Sequence, residues 1–153
     1  MITKKLNNAR IHSTVLFEGN GSFSAGSNSQ VRAYSVIEMD KGNLTIGNNS
    51  VIGYNSFIQC TGTITIGHGS LLGPHCSFIA SSHPVNNRPL IGQPMIRGSI
   101  TIGNNVWVGA NCTINMGIKI GDNAIIGANS FVNKDVPANT VYAGSPIKFI
   151  KNR

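Results

Sequence analysis

Apolar residues recur along this chain at every sixth position. Ile46, Ile52 and Ile58 form one series, Ile66, Leu72 and Phe78 a second, and Ile102, Val108, Ile114, Ile120, Ile126 and Val132 a third. Ile, Leu and Val account for 36 of 153 residues, yet they fill eleven of these twelve slots and Phe fills the other, so chance is a poor account of the spacing. The neighbours recur too. Ile46-Gly47-Asn48-Asn49-Ser50, Ile102-Gly103-Asn104-Asn105-Val106 and Ile120-Gly121-Asp122-Asn123-Ala124 are near copies, as are Leu72-Gly73-Pro74-His75-Cys76 and Val108-Gly109-Ala110-Asn111-Cys112. A period of six drifts around a helical wheel, and Gly and Asn weaken helices. A short strand followed by a corner satisfies it, because Gly, Asn and Asp accept turn dihedrals that β-branched residues resist. Three such sides close a coil of 18 residues, the separation of Ile102 and Ile120. Ile46 to Ile66 is 20, one coil plus a two-residue insertion, and Ile66 to Ile102 is 36, one coil plus an excursion. The pattern predicts a parallel β-helix of triangular section whose stacked coils bury an aliphatic column. Handedness does not follow from the period, and the general crossover rule favours the right hand.

The same pattern divides the chain, as one domain over 1–153, into irregular first coils (1–43), regular coils (44–83 and 99–143), an extruded loop (84–98) and a C-terminal tail (144–153). In the first part Val31 and Ile37 are six apart, and Gly19, Gly21 and Gly26 supply corners. The loop holds Pro84, Pro89 and Pro94 and has no period, and loops of this length are usually functional or disordered. Its apolar Leu90, Ile91, Met95 and Ile96 argue for docking on another surface. The tail, Gly144-Ser145-Pro146-Ile147-Lys148-Phe149-Ile150, breaks the period and is expected to cover open strand edges at the end of the coil.

Composition narrows the class. Gly contributes 18 residues and Asn 19, suiting a chain with many corners, and 41% of the residues are hydrophobic, which argues against disorder. A coiled coil or bundle would need more Ala, Glu, Lys and Leu. No apolar run approaches a membrane span, and the opening MITKKLNNAR lacks the apolar stretch of a signal peptide, so a soluble, cytoplasmic protein is expected. Cys60, Cys76 and Cys112 are odd in number and lack CxxC spacing, which indicates neither a disulfide framework nor structural zinc. Cys76 and Cys112 fall in the small inward slot and read as core thiols. The net charge of +7 is scattered rather than interleaved with aromatics, which disfavours nucleic acid and suits a small anionic ligand or an acidic polymer.

Three motifs carry chemistry: His83-Pro84 at the root of the loop, the stretch Ile100-Thr101-Ile102-Gly103-Asn104-Asn105-Val106-Trp107-Val108-Gly109-Ala110-Asn111, and Gly127-Ala128-Asn129-Ser130 followed by Asn133-Lys134-Asp135-Val136-Pro137. With the repeats they resemble the hexapeptide-repeat acyltransferase superfamily, over residues 44–150, and are most similar to its small saccharide and xenobiotic O-acetyltransferases. The resemblance implies an all-β, left-handed parallel β-helix, a known exception to the crossover rule. It implies acetyl-CoA as donor, no metal, and a homotrimer with active sites between subunits. His83 would be the general base. Trp107, Ala110, Ala128, Asn133, Lys134 and Lys148 would meet acetyl-CoA, with the Ala110 N–H near the thioester carbonyl and the lysines near the phosphates. The family often has Thr before this Lys, where this chain has Asn133. Acceptor contacts are expected from Tyr54, Asn55, Asn86, Asn87 and Arg88, in the early coils and the loop. The implied reaction is O-acetylation of a saccharide hydroxyl, of capsule or lipopolysaccharide type, by direct transfer in a ternary complex. The alternative is N-acetylation of an amino sugar or a nucleotide-linked amino sugar.

Such chemistry needs a base, because a hydroxyl must lose its proton as it attacks a thioester. Imidazole suits that task near neutral pH, and positioned base catalysis contributes ~10²–10⁴-fold. No acid lies near His83 in sequence, so a backbone carbonyl at Nδ1 or an acid from a neighbouring chain is expected to orient it. Two rivals fit less well. A β-helical carbonic anhydrase pairs two metal-binding histidines five apart, whereas His68, His75 and His83 are spaced seven and eight. A structural or ice-binding solenoid would use a Thr ladder such as Thr45, Thr65 and Thr101, but Lys119 interrupts the next rung and His83 has no role there. His12, His68 and His75 match no catalytic element.

Overall fold

The computed structural model describes residues 1–85, 89 and 91–153. They form a parallel β-solenoid of about seven turns with no helix, and hence none long and apolar enough to cross a membrane. The first face stacks β2 (Arg10–Ile11), β4 (Gln30–Val31), β6 (Val51–Ile52), β9 (Leu71–Leu72), β14 (Trp107–Val108), β17 (Ile125–Ile126) and β19 (Thr140–Ala143) in parallel. The second and third faces belong to one bent sheet. In the early coils β3 (Leu16–Ala25) and β5 (Val36–Ile46) run through the corner between them, with a register shift at Asn20/Gly21, where Gly19 and Gly21 take φ of 86° and 150°. Later coils break there, giving β7 (Phe57–Cys60), β10 (Ser77–Ile79), β15 (Thr113–Ile114) and β18 (Phe131–Val132) on the second face. The third face receives β8 (Thr63–Ile66), β13 (Ser99–Ile102) and β16 (Lys119–Ile120). At the N-terminal end β1 (Ile2–Leu6) pairs with β3 and brings Lys4 Nζ 3.5 Å from the Phe17 ring centroid.

The twelve periodic slots become three columns in register. Ile46, Ile66, Ile102 and Ile120 are successive partners on the third face. Ile52, Leu72, Val108 and Ile126 line up on the first, and Ile58, Phe78, Ile114 and Val132 on the second. All twelve are buried. Each face has period two, so the residue before each slot points outward. That places Thr45, Thr65, Thr101 and Lys119 in one outward column, and Val51, Leu71, Trp107 and Ile125 in another. The early coils stack through Ile11, Val31 and Ile52, with Phe23, Met39 and Leu44 filling the interior off the six-residue grid.

Corners explain the Asn content. Nine of the twelve described non-Gly residues with positive φ are Asn, including Asn49, Asn105 and Asn123 at one corner and Asn55, Asn111 and Asn129 at another. Inside the corners, small side chains satisfy the backbone of the next coil. Ser50 Oγ donates to Gly67 O at 2.6 Å and Ser70 Oγ to Gly103 O at 2.8 Å. No buried side-chain polar atom among the described residues lacks a partner. Glycines let the coils approach: an ideal Cβ on Gly109 would stand 2.5 Å from Ala128 N. Gly109→Ala is therefore expected to lower stability by ~1–3 kcal/mol through backbone displacement, read as a lower denaturation midpoint.

The excursion leaves between the second and third faces. Its root is a two-stranded antiparallel ribbon, β11 (Ser81–Ser82) with β12 (Ile96–Arg97). Arg97 fastens the root, with a guanidinium nitrogen 2.5 Å from Asp40 Oδ2 and another donating to Thr61 O at 2.7 Å. At the other end the tail reverses, and β20 (Lys148–Asn152) pairs antiparallel with β19, covering the edge of the first face. Ile147 plugs into the core and Phe149 meets Tyr142 edge-on at 5.6 Å.

Candidate active site

The first face carries the candidate site. Its outward column is apolar, and Trp107, 53% exposed, stands at its centre because an odd strand position faces out. Beside it runs a column of glycines, Gly53, Gly73, Gly109 and Gly127, each the residue after a buried slot. The missing side chains leave a trough, and the corner residues Tyr54, Pro74, Ala110 and Ala128 form its far wall. Together they bound a groove of about 700 Å³ that extends along the solenoid from Arg32 to Ala128.

The wall offers an unused donor. Gly109 N–H donates to Ile126 O at 2.8 Å and Asn111 N–H to Pro74 O at 3.0 Å, while Ala110 N–H between them has no backbone acceptor among the described residues. A backbone donor left free on the wall of a groove can stabilise developing negative charge. Behind it, the Cys76 thiol donates to Gly109 O at 3.2 Å, the carbonyl of the same peptide unit, and Cys112 makes the equivalent bond to Gly127 O at 3.2 Å. All three cysteines are free and buried. A hydrogen bond with Cys112 and burial both push the Cys76 thiol up, and burial pushes Cys60 up to about 11, so these two stay protonated at neutral pH.

The groove gathers four of the sequence-derived candidates: Tyr54, Trp107, Ala110 and Ala128. Asn55 sits beside them in the turn after Tyr54, at φ 53°, its N–H bonded to Ala33 O. Lys134 lies toward the C-terminal end of the first face, with Nζ 5.9 Å from the centroid of Tyr142, the strand partner of Ile126. Asn133 follows β18 on the second face, and Lys148 is exposed on β20 opposite Ala143. Asn86, Asn87 and Arg88 lie outside the described residues. His83 is exposed at the root of the ribbon, between the second and third faces, and is not among the residues lining the groove. No hydrogen bond to its ring is formed among the described residues, and His83 and the groove of one chain stand on different sides of the solenoid.

Arg32 and the column of glycines gain importance only in three dimensions. Arg32 lies with its guanidinium carbon 5.2 Å from the Tyr54 ring centroid and donates to Tyr54 Oη at 3.4 Å. The glycine column was visible as a Gly after each slot, but its meaning as a trough required the register. His68 and His75 are corner residues: His68 Nδ1 accepts the Asn48 N–H at 2.9 Å, and His75 holds φ 57°. They turn different corners from each other and from His83, and no three potential metal ligands meet among the described residues.

A family model described as the hexapeptide repeat of succinyl-transferase matches residues 43–74 and 99–134, the coils on either side of the loop. The chain is 42% identical over 109 residues to a galactoside O-acetyltransferase of Escherichia coli (strain K12), covering 71% of this chain and 54% of that protein. It spans about half the length of the curated relatives it matches. Among solved structures, a hexapeptide-repeat acetyltransferase from Vibrio cholerae superposes with a TM-score of 0.73 at 27% identity, over 96% of this chain and 72% of that one. AntD, an N-acyltransferase from Bacillus cereus in complex with dTDP and 3-hydroxybutyryl-CoA, superposes with a TM-score of 0.86 over 98% of this chain and 82% of that one. Its 21% identity speaks for the fold alone. The solenoid is thus left-handed, against the general crossover rule, and the chain belongs to the hexapeptide-repeat acyltransferase superfamily.

Proposed function

We propose that this protein is an acetyl-CoA-dependent O-acetyltransferase acting on a saccharide hydroxyl. The observation that carries the reading is the groove of the first face, apolar along Leu71, Trp107 and Ile125, with the free Ala110 N–H on its wall. An extended pantetheine arm fits such a trough, with its thioester at Ala110 and its phosphates toward Lys134 and Lys148 at the C-terminal end. Asn133 and Ala128 border that path, and Tyr54 and Asn55 stand at the opposite, acceptor end. The donor is supported by the galactoside O-acetyltransferase relative.

His83 removes the acceptor proton as the hydroxyl oxygen bonds to the thioester carbon. The carbonyl oxygen takes the negative charge and accepts the Ala110 N–H. Collapse of this intermediate re-forms the carbonyl and breaks the carbon–sulfur bond, and the imidazolium returns its proton to the leaving sulfur. Because His83 stands away from the groove of its own chain, the complete site requires His83 of one copy and the groove of another. A homotrimer with three such sites satisfies this, and the apolar residues of the loop supply contact surface. The same base and groove serve an amine as readily as a hydroxyl, so N-acetylation of an amino sugar or a nucleotide-linked amino sugar is the second reading.

Release of free thiol from acetyl-CoA should be followed across sugars, nucleotide sugars, polysaccharides and amino sugars, with light scattering on the same samples. Acceptor-dependent release with hydroxyl sugars is expected. Release with amines alone would replace O- by N-acetylation. No release with any acceptor, or a monomer at micromolar concentration, would overturn the reading.

A further inference from the structure

A second cavity, of about 530 Å³, opens on the first face over the N-terminal coils. It shares Arg32 and Tyr54 with the groove and is therefore its continuation away from Lys134 and Lys148. Arg10, His12, Gln30 and Arg32 surround it above Ile11 and Val31. Register explains the cluster: Arg10 pairs with Gln30, and Arg32 follows Val31, the partner of Ile11, so the two arginines stand on either side of the Ile11–Val31 pair on adjacent coils and line one cavity.

These cations lack counter-charges. The only ion pair among the described residues joins Arg97 to Asp40. Of the five acids in the chain none lines either cavity. Glu18 and Glu38 are partners on the second face, Asp122 accepts the Asn104 N–H, and Asp135 accepts the Lys119 N–H. Arg32 is instead held by an uncharged partner, the Tyr54 ring and hydroxyl, which orients its fork without neutralising it. Two like charges in one concave surface focus a positive potential there, and a guanidinium fork matches the paired oxygens of phosphate and carboxylate.

We propose that Arg10 and Arg32 form an oxyanion subsite for the acceptor, so that the molecule acetylated carries a phosphate or a carboxylate. The proposal rests on the donor reading above, which places the CoA phosphates at the opposite end of the groove. Tyr54 then serves twice, as a platform for the sugar and as the support of Arg32. The scattered +7 charge acquires a location: part of it serves a ligand at each end of one trough.

Calorimetric titration of inorganic pyrophosphate, glucuronate and glucose into the protein saturated with CoA tests this. The comparison is Arg10→Gln/Arg32→Gln, which keeps part of each side-chain stem and so preserves packing. At least one anion is expected to bind, glucose not, and the double variant should bind that anion at least tenfold more weakly with its affinity for acetyl-CoA unchanged. Pyrophosphate as the tighter probe points to a phosphorylated or nucleotide-linked acceptor, and glucuronate to an acidic saccharide. Failure of both anions to bind, or equal binding by the variant, overturns the proposal. A tenfold loss of acetyl-CoA affinity also overturns it, by assigning both arginines to the donor. Should the unaltered protein fail to bind CoA, the donor reading falls, and the same titrations without CoA still decide whether the arginines hold an anion. If Arg10→Gln/Arg32→Gln unfolds, Arg10→Gln alone, at an exposed strand position, is expected to weaken the anion several-fold, and no change would count against the subsite.

Discussion

His83→Ala is expected to leave the solenoid and its affinity for acetyl-CoA intact while lowering the rate of acetyl transfer by ~10²–10⁴. The separation of effects follows from position. His83 is exposed at the root of the β11–β12 ribbon and belongs to none of the three buried columns, so its truncation creates no cavity. The ribbon keeps its own fastening through Arg97, Asp40 and Thr61. The groove lies on another face and retains Trp107 and the Ala110 N–H. Binding of acetyl-CoA by calorimetry and single-turnover transfer would separate the two quantities. Full activity in the variant would remove the central assignment. A mixed sample of His83→Ala with a second variant crippled in the groove, Trp107→Ala, is informative as well. If one copy supplies the base and another the groove, mixed trimers recover part of the activity that each variant alone has lost.

Phe78→Ala is expected to cost ~3–5 kcal/mol of stability, the range for deleting a buried aromatic side chain. Phe78 is fully buried in the middle of the second-face column, between Ile58 and Ile114. A solenoid is stabilised by contacts between neighbouring coils, so a hole at the centre weakens two interfaces at once and leaves the column no partner to collapse upon. Urea unfolding of the two proteins measures the difference. A loss below 1 kcal/mol would mean that adjacent coils close the gap.

The coil was legible because its periodic slots are locally encoded. Hexads of the first and third faces repeat an aliphatic residue, a glycine and turn-forming residues, and the stacking partner of every slot follows from counting 18, 20 or 36 residues. All nine register pairs among the twelve slots therefore appear at the spacings read from the chain. The early coils were harder to read. Strands β3 and β5 run through a corner where later coils turn, and Phe23, Met39 and Leu44 fill the interior out of phase with the hexads. The tail was expected to cover the open end, but its antiparallel pairing with β19 depends on which edge lies within reach of Ile147.

The candidate site divides in the same way. By itself the sequence determined the kind of coil, the outward position of Trp107, the inward cysteines and the break after His83, since these depend only on phase within a repeat. Tertiary structure alone decided that Gly53, Gly73, Gly109 and Gly127 align into a trough, that Ala110 N–H is left free on its wall, and that Arg10 and Arg32 share one cavity. It also separated His83 from that trough, a fact invisible in the sequence because the corner at which a loop leaves matters only once the faces are folded around one axis. Periodicity specifies which residues stack, while the angle between faces specifies which of them can meet a common ligand.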